Sequence, residues 1–287
     1  KSGYAPAMGN LGALLRKDPF KDFDKAFYWT KKAADKGVVY AIFGLGTLYY
    51  DGAGVTQDYY KAFYFFKKAA EKGYTSAMVQ LGLMYRDGVG VHQDQEKAFY
   101  WFDKAASKGN ADGMFYLGYY YDEIMKDYDK ALYWYRKAAE AGSSSAFTNL
   151  GLMYGTGKGV SLDYKKAVEY YKQAAFYGDD MGMYNLGVMY LEGNGVSRDY
   201  KEAVKWFRKA ADRGVALAYY NLGYCHEHGK GVKRDKDKAI YWYEKAAEAG
   251  YEPAKERLQE LRPGQAGSSG GGGGGMPLCF VVPSVSG

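Results

Sequence analysis

The stretch that decides the fold is residues 180–214, DMGMYNLGVMYLEGNGVSRDYKEAVKWFRKAADRG. Its apolar residues recur at spacings of three and four in two separate segments, and the glycine pair Gly193 and Gly195 divides these segments. Spacings of three and four place side chains on one face of an α-helix, and closely spaced glycines let a chain reverse within a few residues. The stretch therefore predicts a helical hairpin.

The same pattern recurs along most of the 287-residue chain. A Leu-Gly dipeptide occurs seven times at intervals of 33 to 36 residues, beginning at Leu11, Leu45, Leu81, Leu117, Leu150, Leu186 and Leu222. A period of this length is typical of proteins built from stacked helical repeats. Repeats one and four lack the glycine pair, and the connections between their two helices are shorter by two and three residues.

Residues with capping chemistry stand at the expected helix ends. An Asp precedes the second apolar segment and predicts an N-cap, because its carboxylate can accept hydrogen bonds from free amides of the first helical turn. These residues are Asp58, Asp94, Asp163, Asp199 and Asp235. A glycine that can adopt a left-handed conformation follows each second segment and predicts its end. These residues are Gly37, Gly73, Gly109, Gly142, Gly178, Gly214 and Gly250.

The elements L-G-x-x-Y, G-x-G-V, K-A and K-A-A-x-x-G resemble those of the Sel-1-like repeat family, a relative of the tetratricopeptide repeats. The resemblance covers residues 4–262 and implies an all-α fold: a right-handed superhelical solenoid of seven helical hairpins with a concave inner face. Residues 251–258 echo the opening residues 4–11, with charged residues in place of Met8 and Gly9. A terminal repeat must present a polar outer face, so this segment predicts a C-terminal capping helix.

The composition changes after residue 262. We expect a repeat domain at residues 1–262, a flexible Gly/Ser linker at 263–275 and a short uncharged peptide at 276–287. The linker's glycine run and the apolar peptide that restarts at Met276 look like an engineered fusion. In that case the peptide is a tethered ligand, and it would also allow weak self-association of an otherwise monomeric protein. Its apolar residues are Leu278, Phe280, Val281 and Val282. The alternative is a remnant, or an aid to crystallisation, that pairs by chance.

Composition and charge exclude several classes of protein. The chain is 47% hydrophobic and 25% charged, which is typical of a folded protein, and no apolar run is long enough to span a membrane. Two Cys and three His exclude a disulfide scaffold and a multi-histidine metal site. The net charge of +6 is spread along the chain, so nucleic acid is not expected as a partner. The sequence begins at Lys1 without a leader, and the few cysteines fit a cytoplasmic protein as well as a bacterial periplasmic or secreted one.

No catalytic constellation is evident in the sequence. The G-x-G-V turns lack the strand, the third glycine and the Lys-Ser/Thr of a phosphate-binding loop. Cys225, His226 and His228 could bind a metal, but histidines two apart on a helix point in different directions. We therefore expect a non-catalytic protein without a metal or cofactor.

The candidate binding residues lie on the first helix of each hairpin. In arrays of the tetratricopeptide type this helix lines the concave face, and the resemblance implies that the residue before the Leu-Gly leucine points into the groove. At this position several repeats have an Asn or Gln, whose carboxamide can both donate hydrogen bonds to an extended peptide backbone and accept them from it. With their neighbours, the predicted peptide-binding residues are Gln80, Phe115, Tyr116, Tyr119, Asn149, Leu152, Tyr184, Asn185, Val188, Tyr220, Asn221 and Tyr224. The alternative is that each Asn bonds only to a neighbouring helix.

These residues would form an apolar trough edged by tyrosine hydroxyls, suited to an extended and largely apolar peptide, with the 276–287 segment as one candidate. The sequence thus predicts a protein-protein interaction scaffold. The alternative function, implied by the resemblance, is a structural adaptor that organises a membrane-associated or cell-envelope complex through its convex face.

Overall fold

The computed structural model describes residues 4–16 and 21–262, and within these ranges it contains fifteen α-helices and no strand. The helices are α1 (Tyr4–Leu14), α2 (Phe23–Asp35), α3 (Val39–Asp51), α4 (Tyr59–Glu71), α5 (Thr75–Asp87), α6 (Gln95–Ala106), α7 (Ala111–Glu123), α8 (Tyr128–Glu140), α9 (Ser144–Thr156), α10 (Tyr164–Phe176), α11 (Asp180–Glu192), α12 (Tyr200–Ala211), α13 (Ala216–His228), α14 (Lys236–Glu248) and α15 (Glu252–Leu261). The predicted linker at 263–275 and the predicted ligand residues Leu278, Phe280, Val281 and Val282 lie outside the described residues.

Each odd-numbered helix from α1 to α13 packs against the helix that follows it, so every repeat is a hairpin of a first and a second helix. The helices form two compact units: α1 to α8 lie within residues 1–141, and α9 to α15 begin after residue 142. Within each unit, successive hairpins pack in chain order. Seven hairpins followed by a single C-terminal helix confirm the predicted all-α solenoid class.

The predicted helix caps form. The Oδ1 atom of Asp58 accepts a hydrogen bond from the backbone N–H of Lys61 at 2.9 Å. Equivalent bonds form at the other predicted N-caps, Asp94, Asp163, Asp199 and Asp235. They also form at Asp22 and Asp127, which were not predicted. The glycines that end the second helices have positive φ angles, from 81° at Gly109 to 95° at Gly142. Local capping chemistry therefore sets the bounds of the second helices.

The Leu-Gly dipeptide is the contact point between the two helices of a hairpin. Leu186 is fully buried, and Gly187 lies against the ring of Phe207 on the second helix. A Cβ at Gly187 would lie 2.6 Å from that ring, closer than carbon atoms pack, so only glycine allows the approach. The same contact joins Gly46 to Phe66, Gly82 to Phe102, Gly118 to Tyr135, Gly151 to Tyr171 and Gly223 to Tyr243.

Where the second helix carries tyrosine at this position, a hydroxyl enters the hairpin core. Tyr135 donates to Asp122 (Oη···Oδ2, 3.4 Å) and Tyr243 donates to Glu227 (Oη···Oε2, 2.9 Å), each on the first helix of its own repeat. Tyr171 is fully buried, and its hydroxyl has no hydrogen-bond partner. Gly155 stands where the other two repeats place the carboxylate. Burial accordingly raises the pKa of Tyr171.

Tyr171→Phe should stabilise the protein, because a buried hydroxyl without a partner is unfavourable by about 1 kcal/mol or more and its removal leaves the packing intact. Tyr243→Phe should destabilise the protein, since it removes the hydroxyl that donates a hydrogen bond to the Glu227 carboxylate. Urea unfolding of the two variants beside the wild type measures both effects. A loss of stability in Tyr171→Phe would show that its hydroxyl has a partner such as a buried water.

The glycine-pair turn also reaches back to the preceding repeat. Gly90 in the turn of repeat three lies against the carbonyl oxygen of Tyr59, the first residue of α4, where a Cβ would approach to 2.5 Å. Turns in other repeats make the same contact with the preceding second helix: Gly54 with Phe23, Gly195 with Tyr164 and Gly231 with Tyr200. Repeat four has a shorter connection without this glycine, and Lys126 there adopts a positive φ of 54°. In repeats two, three, six and seven, these turns therefore cover the start of the preceding second helix.

The C-terminal helix α15 packs against α14 and buries Ala254. Its Arg257 reaches back to Glu227 of α13: Nε donates to Oε2 at 3.0 Å, and a second guanidinium nitrogen pairs with Oε1. Glu227 also accepts the bond from Tyr243 of α14. One carboxylate thus ties the last three helices together.

Candidate ligand-binding face

The predicted binding residues are divided between the two units. Those of the first unit lie on α5 and α7, where Phe115 is buried and Gln80, Tyr116 and Tyr119 are half-buried. Those of the second unit lie on α9, α11 and α13, and we call them the carboxamide face: Asn149, Leu152, Tyr184, Asn185, Val188, Tyr220, Asn221 and Tyr224. Helices α9 and α11 are in contact, so this face runs across neighbouring repeats of one unit.

The carboxamide face is more buried than the trough expected from the sequence. The three Asn residues are 0 to 6% exposed, and Leu152, Tyr184 and Val188 are also buried, whereas Tyr220 and Tyr224 are half-buried. The sequence predicts tyrosine hydroxyls at the edge of the trough, free to contact a ligand. Instead, the hydroxyl of Tyr224 accepts a hydrogen bond from Lys230 Nζ at 2.7 Å. The first helices pack closely enough to cover the centre of the face.

Asn221 bonds to the neighbouring helix, as the alternative interpretation of the Asn residues expects. Its Nδ2 donates to the hydroxyl of Tyr184 on α11 at 3.2 Å, and both residues are buried. Tyr184 lies one residue before Asn185, so the bond connects equivalent parts of adjacent repeats. For this residue a structural role accounts for the carboxamide.

Asn185 differs, because neither its Oδ1 nor its Nδ2 has a hydrogen-bond partner although the residue is completely buried. In the repeat before Asn185, Thr148 stands at the position equivalent to Tyr184. The Thr148 side chain is shorter, and it donates a hydrogen bond to Asp179 Oδ1 at 2.7 Å instead of to Asn185. Asp179 also accepts from the N–H of Gly182 and from Ser145, so it holds Thr148 in a local network. The Oδ1 of Asn149 is likewise buried without a partner.

Cationic and titratable groups lie at one end of the carboxamide face. The ring of Tyr224 lies 4.4 Å from that of His228, and Lys230 Nζ lies 4.6 Å from the Tyr224 ring centroid. The hydrogen bond to Tyr224 raises the pKa of Lys230. Burial raises the pKa of Tyr220, so its hydroxyl stays protonated at neutral pH. Lys230 therefore places one positive charge beside Tyr224, while the central residues of the face carry no charge.

The metal-capable residues of α13 have structural environments. Burial raises the pKa of Cys225 to about 12, which leaves the thiol protonated and unreactive at neutral pH. His226 is 5% exposed, and burial lowers its pKa. In the part of the chain that the structure describes, no three His, Cys, Asp or Glu side chains come together as a possible metal site.

None of the helices in residues 4–16 and 21–262 has the length and apolar character needed to cross a membrane.

The hairpins, their glycine contacts and the uncharged face define a helical-repeat protein. Seven successive segments match the Sel1 repeat, namely residues 5–38, 39–74, 75–110, 111–143, 145–175, 180–215 and 216–251. The chain belongs to the Sel1 repeat family. Proteins of this family are generally non-catalytic interaction scaffolds.

Solved structures show the same fold. The chain is 36% identical to c5321, a protective antigen of uropathogenic Escherichia coli strains, with a TM-score of 0.70; the match covers 92% of this chain and 58% of that one. It is 32% identical to a Sel1 repeat protein from Oxalobacter formigenes, with a TM-score of 0.76 and coverage of 87% and 100%. Immunity protein PA5088 from Pseudomonas aeruginosa shares the fold, with 24% identity and a TM-score of 0.57. The match covers 72% of this chain and 80% of that one. Among curated proteins, none matches the chain.

Proposed function

We propose that the chain is a non-catalytic scaffold that binds an extended, largely apolar peptide segment of a partner along the carboxamide face. Asn185 carries the proposal. A buried carboxamide with no partner is unfavourable by about 1 to 3 kcal/mol, and folded proteins pair nearly all such groups. A peptide backbone offers the N–H and the C=O that this side chain lacks.

The surroundings of Asn185 fit a ligand without charge. Val188 and Leu152 lie one turn beyond Asn185 and Asn149 on α11 and α9, and they add apolar contacts. The half-buried Tyr220 and Tyr224 on α13 supply aromatic surface at the edge. Because Asn185 is covered in the free protein, binding requires its carboxamide to turn towards the peptide. The ligand would then satisfy the Asn185 carboxamide, of which both the oxygen and the nitrogen lack partners in the free protein.

Residues 276–287 are the peptide that we propose to test first. They carry no charged side chain and include Leu278, Phe280, Val281 and Val282, so their chemistry matches that of the face. A flexible linker also raises the effective concentration of a tethered peptide to the millimolar range, roughly, which would fill even a weak site. A partner protein with a similar segment would compete for the same face.

Calorimetric titration tests this function directly. A synthetic peptide of residues 276–287 is titrated into the chain ended at Arg262, which retains all fifteen described helices. We expect saturable binding, and we expect Asn185→Leu to weaken it by about tenfold or more because two hydrogen bonds to the peptide are lost. Asn10→Leu is the matched control, since Asn10 holds the same repeat position but is exposed in the first unit. Equal affinities for the wild type and Asn185→Leu would contradict the proposal.

A second candidate function is an adaptor that uses the outer face of the second helices. Four successive repeats of the first unit place an exposed tyrosine there, each beside another aromatic ring: Tyr28, Tyr64, Tyr100 and Tyr133, which are 50 to 58% exposed. Exposed aromatic surface of this kind is typical of protein interfaces. Loss of partner assembly in a Tyr64→Ala, Tyr100→Ala variant that still binds peptide would favour the adaptor.

A further inference from the structure

The short connection of repeat four opens a pocket in the first unit. In repeats two, three, six and seven, the second glycine of the turn covers the first residue of the preceding second helix. Repeat four instead has Ile124, Met125, Lys126 and Asp127 between its helices, without the glycine pair. The start of α6 is left without this cover, and a pocket of about 210 Å³ forms there.

The pocket is lined by three aromatic rings, one thioether and one carboxylate: Phe99, Tyr120, Tyr121, Met125 and Glu96. The ring centroid of Phe99 lies 5.0 Å from that of Tyr120 and 5.9 Å from that of Tyr121. The ring planes of Phe99 and Tyr121 are nearly perpendicular, at 89°. Lys130 Nζ lies 5.2 Å from the Tyr121 ring centroid, so this aromatic cluster already attracts one cation.

The backbone of this connection is adapted to the pocket. Lys126 has a φ of 54°, a conformation that non-glycine residues rarely adopt, and the other turns place glycine at their positive φ angles. Met125 is 58% exposed and Ile124 is 43% exposed, so an apolar rim stands beside the rings. A strained connection with an exposed apolar rim is characteristic of a functional surface.

Charge determines which ligand fits. The cations near the pocket are each paired with a carboxylate: Lys97 with Asp94 at 2.7 Å, Lys126 with Glu123 at 3.0 Å and Lys130 with Asp127 at 2.9 Å. Glu96 is exposed, and its neighbour Lys97 forms its ion pair with Asp94 rather than with Glu96. Among the lining residues it is therefore the one negative charge available to a ligand.

We propose that this pocket binds the side chain of an arginine on a partner protein, with the guanidinium against the rings and paired with Glu96. A volume of about 210 Å³ is below the roughly 300 Å³ at which small-molecule sites begin, so the pocket fits one long side chain. Guanidinium stacks on aromatic faces and pairs with carboxylate in the same plane, which an ammonium group does not do. The proposal does not depend on the carboxamide face.

Methyl NMR of the full chain labelled at its methionines tests the proposal. The probe is Nα-acetyl-arginine methylamide, and its uncharged isostere Nα-acetyl-citrulline methylamide is the reference ligand. We expect a saturable shift of the Met125 methyl signal, assigned by its loss in Met125→Leu, with arginine and a much weaker shift with citrulline. Equal responses to the two ligands, or no saturable shift, would overturn the proposal.

Variants locate the site. Glu96→Gln should weaken arginine binding by about fivefold or more, and Tyr120→Leu should do the same because it removes a ring while keeping apolar volume. Asp24→Asn is the matched control, since Asp24 holds the same position at the start of α2, where Gly54 covers the helix. Thermal unfolding confirms that each variant is folded. Unchanged affinity in Glu96→Gln would show that the shift arises elsewhere.

Discussion

Gly187→Val should destabilise the protein by about 3 kcal/mol or more, because added carbon in a filled core forces displacement of its neighbours. A Cβ at Gly187 would lie 2.6 to 2.7 Å from ring atoms of Phe207, and Phe207 is fully buried. The ring cannot retreat without disturbing the packing of α12. The small gain in helix propensity over glycine, at most about 1 kcal/mol, does not offset the clash. Urea unfolding gives the difference.

Gly44→Ala is the control for this variant. Gly44 is also inside a first helix, one residue before the leucine of its Leu-Gly pair, but a Cβ there would make only an ordinary contact of 3.4 Å with Thr30. We expect Gly44→Ala to be neutral or stabilising by up to about 1 kcal/mol. If Gly187→Val and wild type unfold at the same midpoint concentration of urea, the close approach of the Phe207 ring is not the reason that the Leu-Gly dipeptide contains glycine.

Arg257→Ala should be the next most damaging change, with a loss of about 2 to 3 kcal/mol, because it leaves a mostly buried carboxylate without its cation. The Glu227 side chain is 11% exposed and the Arg257 side chain 33% exposed. Lys255→Ala serves as the control, since the Lys255–Glu252 pair is exposed on both sides and contributes less than about 1 kcal/mol. The double variant Glu227→Leu, Arg257→Leu should lose much less than Arg257→Ala alone.

The effect of Arg257→Ala should depend on pH. Burial raises the pKa of Glu227, but the hydrogen bonds from Arg257 and Tyr243 outweigh burial and hold the pKa below its ordinary value of 4.5. A group with a lowered pKa stabilises the fold above its unfolded-state pKa, and that stabilisation is lost as the pH falls through the folded-state pKa. The difference between wild type and Arg257→Ala should therefore be full at pH 7 and shrink below about pH 4.5. A constant difference across this range would contradict the ion-pair account.

The features that the sequence predicted correctly are those set by residues close together in the chain. Helix caps, glycine turns and the Leu-Gly period each depend on residues close together in the chain, and the predicted caps from Asp58 to Asp235 form as expected. The ion pair of Arg257 with Glu227 was not predicted, because its partners are 30 residues apart and belong to different repeats.

The candidate site depends on which side chain stands opposite in the preceding repeat, and the repeat pattern does not show this. Asn185 and Asn221 hold equivalent positions, yet Tyr184 satisfies Asn221 while Thr148 bonds to Asp179 and leaves Asn185 without a partner. The pocket at Met125 also follows from a missing contact between repeats. The shortened connection of repeat four was visible in the sequence, and it was the signal that could have located this pocket.

Urea unfolding of the chain ended at Arg262, with the wild-type residue or with Asn185→Leu and each with and without added 276–287 peptide, tests most directly whether Asn185 is retained for a ligand. Without peptide, we expect Asn185→Leu to be more stable than wild type by about 1 to 2 kcal/mol, because a buried carboxamide without partners is replaced by an apolar side chain of similar size. Saturating peptide should stabilise wild type through its binding and leave Asn185→Leu almost unchanged. A variant that is less stable than wild type without peptide, and equally stabilised by it, would contradict the account.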